Sequence, residues 1–165
     1  MDKVIIRRLK ADDVDAVAQL WGALVDYHRA LDASLPAAAP QGMRRYARRL
    51  SDRLEDSMSR VFVAEADDKV VGYVLGVVVD LAPEMFAQEP SGFLADIFVD
   101  EAYRHMGVGT QLVEALTAWF KEKGLRFYEW HVAARNTESL KFWESLGGRN
   151  VMLRMRAEVD PVDKS

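Results

Sequence analysis

The chain has 165 residues, a formal net charge of −4 and no cysteine, and 50% of its residues are hydrophobic. The length suits one domain, taken as residues 1–165, and the apolar fraction argues against disorder. The negative charge argues against general nucleic-acid binding. The lack of cysteine excludes a disulfide framework, a thiolate zinc site and a cysteine nucleophile.

The hydropathy pattern gives no sign of a membrane protein. The longest apolar run, Val70 to Val79, is too short to cross a bilayer, which takes about 20 residues. The first residues, up to Asp12 and Asp13, lack the apolar stretch of a secretory signal. We therefore expect a cytoplasmic protein that has neither a membrane nor a nucleic acid as its partner.

The first half of the chain predicts one strand, two helices and a hairpin. Residues 4–9 are β-branched and basic, which favours a strand. Asp12 or Asp13 then caps a helix whose apolar positions recur at helical spacing as far as His28. A Pro/Ala/Gly loop at 34–42 precedes a second helix at about 43–58. The extended runs 60–66 and 69–80 flank Asp67 and Asp68, which indicates a hairpin.

The second half predicts strands that alternate with helices. These elements are a strand at 93–99, a helix from Gly107 to near Gly124, a strand at 125–132, a helix at 137–146 and a strand at 151–159. The resulting order, β-α-α-β-β-β-α-β-α-β, suits a single α/β or α+β domain with helices on the faces of a sheet. The last strand would present an edge that favours pairing with a second chain.

The clearest chemical signal is Arg104-x-x-Gly107-x-Gly109, which lies between a strand and a helix. Glycines permit a tight turn that aims backbone N–H groups at a ligand, and the helix start adds further free N–H groups. This combination suits a phosphate or pyrophosphate. A P-loop would need a lysine, and a dinucleotide fingerprint would need a third glycine where Leu112 stands. A plain strand–helix turn is the alternative interpretation.

Two segments resemble one known family. Arg104-x-x-Gly107-x-Gly109 after the strand 96–99 resembles the acetyl-coenzyme A signature of the GNAT acetyltransferases. The segment 132–147, which contains Asn136, Phe142 and Trp143, is similar to that family's strand–helix region. Details of both segments look most like the spermidine/spermine N-acetyltransferase branch. The resemblance implies a mixed, mostly antiparallel sheet with helices on both faces. It also implies acetyl-CoA as cofactor and coenzyme A as product.

The resemblance also implies where the cofactor would bind. The backbone of β-strand residues 97–99 would hydrogen-bond the pantetheine arm, and the N–H groups of residues 104–110 would hold the pyrophosphate. Asn136 would contact the cofactor from the far side, and Phe142 and Trp143 would lie near the thioester sulfur. The residues assigned in this way are Ile97, Phe98, Val99, Arg104, His105, Met106, Gly107, Val108, Gly109, Thr110, Asn136, Phe142 and Trp143.

The reaction that the resemblance implies is direct acetyl transfer to the amine of a small molecule in a ternary complex. An alkyl ammonium has a pKa near 10.4, so only about one molecule in 2,500 is the free amine at pH 7. A carboxylate would accept the surplus proton. Asp96 is the first candidate for this base or for an anion that binds the ammonium group. A carboxylate held by backbone or arginine partners is the alternative.

Position 143 departs from the family pattern. Many relatives carry a tyrosine there that protonates the thiolate, whereas the indole of Trp143 cannot release a proton. Tyr128 is therefore a candidate acid, together with Tyr73 and Tyr103. The alternative is a CoA-binding module with weak or no catalysis, and a nucleotide-binding turn for ATP is a third possibility.

The acceptor side is predicted less sharply. Candidates that border it are Tyr27, His28, Asp80 and Glu129. Ala95 stands where the polyamine branch has a second acid, which argues against polyamines. The arginines of the second helix suit either an anionic acceptor or a solvated face paired with acids. The three histidines have no metal-ligand spacing, so no metal site is expected. The family resemblance suggests a homodimer.

Overall fold

The computed structural model describes residues 3–80 and 85–160. Its strands and helices follow the predicted order as far as the last helix. They are β1 (Ile5–Arg8), α1 (Val14–Leu31), α2 (Gly42–Asp52), β2 (Ser59–Ala66), β3 (Lys69–Val79), β4 (Ser91–Val99), α3 (Val108–Glu122), β5 (Tyr128–Glu129) and α4 (Thr137–Ser145). Single 3-10 turns precede α1 and α3.

The strands form one sheet in the order β1-β2-β3-β4-β5. All neighbours are antiparallel except β4 and β5, which are parallel. The β2–β3 hairpin turns at Asp67 and Asp68, whose φ angles of 47° and 59° lie in the left-handed region. Aspartate tolerates this region better than most residues, and two such residues in succession suit a tight hairpin. The expected mixed, mostly antiparallel sheet is confirmed.

Helices cover both faces of this sheet, as expected. On one face, α3 and α4 form a cluster with the sheet in which Leu116 of α3 and Trp143 of α4 join Val74 and Leu94. On the other face, α1 and α2 pack against Tyr73 and Leu75. The alternation of Tyr73, Val74 and Leu75 between the two clusters is the two-residue period of a strand that is buried on both sides.

A β-bulge in β4 decides which side chains point to which face. Leu75 of β3 pairs with Asp96, but the next residue, Gly76, pairs with Leu94, so Ala95 is an extra residue in β4. Bulges re-aim the side chains that follow them. As a result Leu94 and Ile97 both pack toward α3, whereas Asp96 contacts α2 on the opposite face.

Three predicted boundaries are wrong. The second helix ends at Asp52 rather than near 58, because the Asp56 carboxylate accepts hydrogen bonds from Met58 N (2.9 Å) and Ser59 Oγ (2.6 Å) and forms a local turn. The strand predicted at 125–132 is paired only at 128–129. The strand predicted at 151–159 is absent, since this segment pairs with no described strand.

Candidate functional site

A cleft of about 660 Å³ opens where β4 and β5 separate. The two strands pair only at Gly92–Tyr128 and Phe93–Glu129. Beyond these pairs, residues 94–99 of β4 form one wall of the cleft and residues 130–133 form the other. This separation leaves one edge of β4 without ladder partners, so its backbone groups can bind an extended ligand.

The turn before α3 forms one end of the cleft. His105 has a φ of 60° and Gly107 has a φ of 80°, so both are left-handed. The first α-helical hydrogen bond runs from Gln111 N to Gly107 O at 3.1 Å. The N–H groups of residues 108–110 therefore have no partner within the helix, which is the arrangement that binds anions at helix N-termini.

The glycines of this turn leave room for a ligand. A Cβ atom on Gly107 would have no neighbour within 4 Å and would occupy open space. A Cβ on Gly109 would lie 3.4 Å from the ring of Phe142, so this glycine brings the turn close to α4. His105 and Glu138, whose side chains approach to 3.1 Å, link the turn to α4 at an exposed position.

The structure gives Arg104 a different role from the one expected. Its backbone N–H already donates to Glu101 O at 3.3 Å, so it is not free for a phosphate. Its side-chain Nε donates to Val99 O at 2.9 Å. Its guanidinium lies 5.0 Å from the ring centre of Tyr27 and 5.1 Å from that of Phe98. Arg104 thus fixes the end of β4 against α1 and places a positive charge in the cleft.

Helix α4 forms the far wall of the cleft. Asn136 is buried and caps α4, with Oδ1 accepting from Ser139 N at 3.1 Å. Phe142 and Trp143 also line the cleft. Trp143 is only 5% exposed, and its ring lies 4.5 Å from that of Trp130 and 5.0 Å from that of Phe142. The tryptophan therefore packs under the cleft as an apolar wall.

Asp96 lies at the floor of the cleft and has a specific partner. The hydroxyl of Tyr46, on α2, donates a hydrogen bond to its Oδ2 at 2.9 Å. Burial raises the pKa of Asp96, and the hydrogen bond from Tyr46 opposes this rise. Burial also lowers the pKa of His28, which lines the same cleft, although the Asp96 charge acts in the opposite direction. The half-buried side chains of Asp96 and His28 therefore face one space.

Tyr46 is a site residue that the sequence reasoning missed. Its ring stacks on Trp21 at 4.9 Å and meets Tyr73 edge-on at 6.5 Å. Burial raises the pKa of its hydroxyl, with the Asp96 charge adding to the rise. The signal was present, because Tyr46 and Leu50 share the apolar face of α2 at a spacing of four residues. The four arginines of this helix, Arg44, Arg45, Arg48 and Arg49, are exposed.

Several predicted residues lie outside the cleft. Tyr128 faces α3, where its hydroxyl lies 3.1 Å from Thr117 Oγ1, so it is not placed to act as an acid. Glu129 and Asp80 are exposed and do not line the cleft. Met106 is part of the turn but its side chain points to solvent. Tyr128 is therefore removed from the site by its contact with α3, and the side chains of Asp80, Met106 and Glu129 by their exposure to solvent.

The other tyrosines proposed as acids are also misplaced. Tyr73 is fully buried in the cluster beneath α1 and α2, and Tyr103 packs against the α3 cluster. Among the described residues, Tyr27 is the tyrosine that lines the cleft. His131 lines it too, with its ring 5.3 Å from that of Phe93.

The described residues offer neither a metal cluster nor a membrane-spanning helix. Within residues 3–80 and 85–160, no three histidine or acidic side chains are grouped so that they could hold a metal ion. In the same ranges, no helix combines the length and apolar character needed to cross a membrane.

Comparison with known proteins identifies the class that this fold and cleft define. The model of the Acetyltransferase (GNAT) family matches residues 24–148, and the chain belongs to that family. Members of the family use acetyl-CoA as the acetyl donor. An uncharacterized N-acetyltransferase of Methanocaldococcus jannaschii is 28% identical over 145 residues, which cover 86% of this chain. The chain spans 59% of the length of that relative.

Two solved structures share the fold. A mutant of the BH1408 protein from Bacillus halodurans superposes with a TM-score of 0.84 at 22% identity, covering 94% of this chain and 99% of that one. An aminoglycoside N-acetyltransferase, AAC(6')-Iy, in complex with CoA superposes with a TM-score of 0.70 at 22% identity, covering 95% of this chain and 97% of that one.

Proposed function

We propose that this protein transfers the acetyl group of acetyl-CoA to the amine of a small molecule by direct attack in a ternary complex. One observation carries the proposal. A single cleft joins a turn with free N–H groups, an open strand edge and a half-buried carboxylate, Asp96. These are the three parts that a thioester donor and an amine acceptor require.

The donor would bind along β4 and end at the turn. The free N–H groups of residues 108–110 suit the pyrophosphate, and the positive end of α3 favours its charge. The unpaired edge of β4 at Ile97, Phe98 and Val99 suits the amide groups of the pantetheine arm. Phe142 and Trp143 offer an apolar wall, and the side-chain Nδ2 of Asn136 remains to donate to the cofactor because Oδ1 caps α4.

Asp96 would take the proton that the acceptor must lose. The amine nitrogen attacks the thioester carbon, a C–N bond forms, and the C–S bond breaks to release the thiolate. The surplus N–H proton goes to the Asp96 carboxylate, directly or through water. A base works best when its pKa lies nearer the operating pH, and burial moves the pKa of Asp96 in that direction.

The thiolate needs less help than the amine. A thiol has a pKa of about 8.5, so solvent can protonate the leaving group at neutral pH. Trp143 packs as a wall, and Tyr128, Tyr73 and Tyr103 lie away from the cleft. We therefore propose that no tyrosine at these positions acts as the general acid.

The acceptor would be an aliphatic primary amine. Asp96 supplies a carboxylate for an ammonium group, and Tyr27, His28 and Phe98 line the same cleft, with the Arg104 guanidinium already lying over the rings of Tyr27 and Phe98. Asp80 and Glu129 lie outside the cleft, so the row of acids that a polyamine would favour is lacking among the described residues. The relative named as an aminoglycoside N-acetyltransferase supports testing aminoglycosides beside spermidine and spermine.

A panel assay tests the proposal. Purified protein is incubated with acetyl-CoA and aminoglycosides, polyamines, aralkylamines and amino acids, and products are identified by mass spectrometry. We expect acetylation of at least one primary amine. The second candidate, a CoA-binding module, is favoured by the buried tryptophan at position 143. CoA binding without single-turnover transfer to any amine would support that module and contradict the proposal.

A further inference from the structure

A second, much smaller cavity lies at the end of the sheet, where β1 ends and β2 begins. Its volume is about 10 Å³, which is room for one water-sized group. Three arginines line it: Arg8 at the end of β1, Arg53 just after α2 and Arg60 near the start of β2. We call Arg8, Arg53 and Arg60 the arginine triad. No described residue lines both this cavity and the cleft.

The register of the sheet brings two members of the triad together. Arg8 pairs with Phe62 in the antiparallel β1–β2 ladder. Because Arg60 precedes Phe62 by two residues, Arg8 and Arg60 project from the same face as a diagonal pair, about 7–8 Å apart. On that face the Arg60 guanidinium lies 5.4 Å from the ring centre of Trp119, on α3. Arg53 reaches the cavity from the other face, on which α2 packs.

The triad lacks acidic partners. None of its guanidinium groups forms an ion pair with a residue that the structure describes. Arg7, next to Arg8 in β1, provides the contrast, because its guanidinium binds both Asp13 and Glu65. The Nε–H of Arg60 is buried and has no hydrogen-bond partner. A buried donor without an acceptor costs stability, and a ligand that supplies the acceptor recovers it.

The electrostatic surroundings of the triad are positive. Burial lowers the pKa of Arg60, and the charge of Arg8 lowers it further, although Glu122 opposes this. The carboxylate of Asp56 already accepts hydrogen bonds from Ser59 Oγ and from a backbone N–H. Neither of these acids forms an ion pair with the triad. Positive charge therefore accumulates here in a chain that has more acids than bases, 26 against 22.

We propose that Arg8, Arg53 and Arg60 form a binding site for a phosphate group, carried either by inorganic phosphate or by a phosphate monoester. One phosphate oxygen would enter the cavity, and the others would meet the guanidinium groups around its mouth. A guanidinium donates two parallel N–H bonds to an oxyanion, and a tetrahedral phosphate can accept from more than one such group. A carboxylate has two oxygens in one plane, which suits three arginines from different elements less well. Arg8 is exposed, so a ligand can reach the site from solvent.

Nitrogen–proton NMR spectra that resolve the arginine Nε–H groups test the site on the full chain. Inorganic phosphate is titrated at constant ionic strength, with chloride as the comparison ion. We expect the Arg60 Nε–H signal to shift and saturate with phosphate and not with chloride. Phosphate that bound only at the turn before α3 would shift the amides of residues 108–110 and leave Arg60 unchanged, which would overturn the proposal. The test does not depend on acetyl transfer, because the triad lies outside the cleft.

Two substitutions that remove the same charge separate the site from general electrostatics. Arg53→Gln removes a member of the triad, whereas Arg48→Gln removes an exposed arginine of α2 that lines neither cavity. We expect Arg53→Gln to weaken phosphate binding roughly 10-fold or more, because it removes charge-assisted hydrogen bonds. Arg48→Gln should change the Kd by less than about 2-fold, since salt screens its charge. Arg8→Gln, at an exposed position, should act like Arg53→Gln and leave folding intact.

The same titration with glycerol phosphate distinguishes the two sources of the phosphate group. Saturable binding of either compound at the triad supports the site, and the tighter of the two identifies the source. No shift of the Arg60 signal with either compound at about 20 mM, which would detect a millimolar Kd, would overturn the proposal. Equal weakening by Arg53→Gln and Arg48→Gln would also overturn it, because binding would then follow net charge alone.

Discussion

Replacing Asp96 by asparagine separates the chemistry of this carboxylate from its packing. Asparagine has nearly the same shape, and its oxygen can still accept the hydrogen bond from Tyr46, which measures 2.9 Å. It cannot take a proton. A positioned general base contributes about 10²–10⁴-fold, so kcat/KM at pH 7 should fall by that factor. This loss corresponds to an increase of roughly 3–5 kcal/mol in the activation free energy. The increase is close to the ~4.6 kcal/mol needed to deprotonate an alkyl ammonium at pH 7.

The pH profile should change in a defined way. In the wild type, kcat/KM should fall in acid as Asp96 becomes protonated, and burial places that fall at a higher pH than for an ordinary aspartate. In Asp96→Asn the rate should follow the free amine and rise about tenfold per pH unit toward pH 10.4. The ratio of the wild-type kcat/KM to the variant kcat/KM should therefore decrease at alkaline pH.

The Asp96→Asn substitution should raise the thermal stability at pH 7, although it lowers the activity. Because folding raises the pKa of Asp96, the stability that comes from its protonation is present in acid and is lost as the pH rises through the folded-state value. Asparagine carries no buried charge, so Asp96→Asn should melt at a higher temperature than the wild type at pH 7. This advantage should disappear in acid.

The assay is steady-state release of CoA with the best amine, combined with thermal melting at neutral and acidic pH. Asp80→Asn is the matched control, because Asp80 is exposed and does not line the cleft. The control should leave both readouts unchanged. Wild-type kcat/KM in Asp96→Asn at pH 7 would refute the role of Asp96 as the proton acceptor.

Two other substitutions have controls within the chain. Gly107→Ala and Gly124→Ala both place a side chain at a left-handed φ, 80° and 75°, with open space around the new Cβ, and each should lose about 1–2 kcal/mol of stability in chemical denaturation. Calorimetry should show weaker CoA binding for Gly107→Ala alone, and equal binding by the two variants would show that the anion site is elsewhere. Tyr46→Phe removes the hydrogen bond that lowers the pKa of Asp96, so the acid limb of kcat/KM should move to higher pH. Tyr128→Phe, whose hydroxyl faces Thr117, should leave that limb in place, and an equal shift in both would contradict the account.

Local sequence patterns predict the turn that forms one end of the cleft. The turn around Gly107 and Gly109 depends on left-handed backbone and on free helix N–H groups, and both follow from residue type and position. The alternation of apolar residues likewise predicts most strands. These features are determined by neighbours along the chain, so a single sequence is sufficient to find them.

The surroundings of Asp96 depend on contacts between distant elements. Tyr46 meets Asp96 across 50 positions of sequence, and the bulge at Ala95 turns Asp96 toward α2. Neither the hydrogen bond between Tyr46 and Asp96 nor the bulge at Ala95 can be predicted from the residues next to it in the sequence. Tyr128 has a residue type that suits an acid and lies on β5, next to the cleft. Its side chain nevertheless faces α3, and the sequence does not show this. The segment 151–159 largely alternates apolar and charged residues, yet it forms no strand because it pairs with no described strand.

Calorimetric titration of the wild-type protein with acetyl-CoA, CoA and ATP tests the central claim most directly. The claim is that the cleft between β4 and β5 binds the acetyl donor through the turn that precedes α3. The account predicts micromolar binding of acetyl-CoA and CoA and no binding of ATP at the same concentration. Binding of ATP tighter than that of CoA, or no binding of either CoA species, would contradict it.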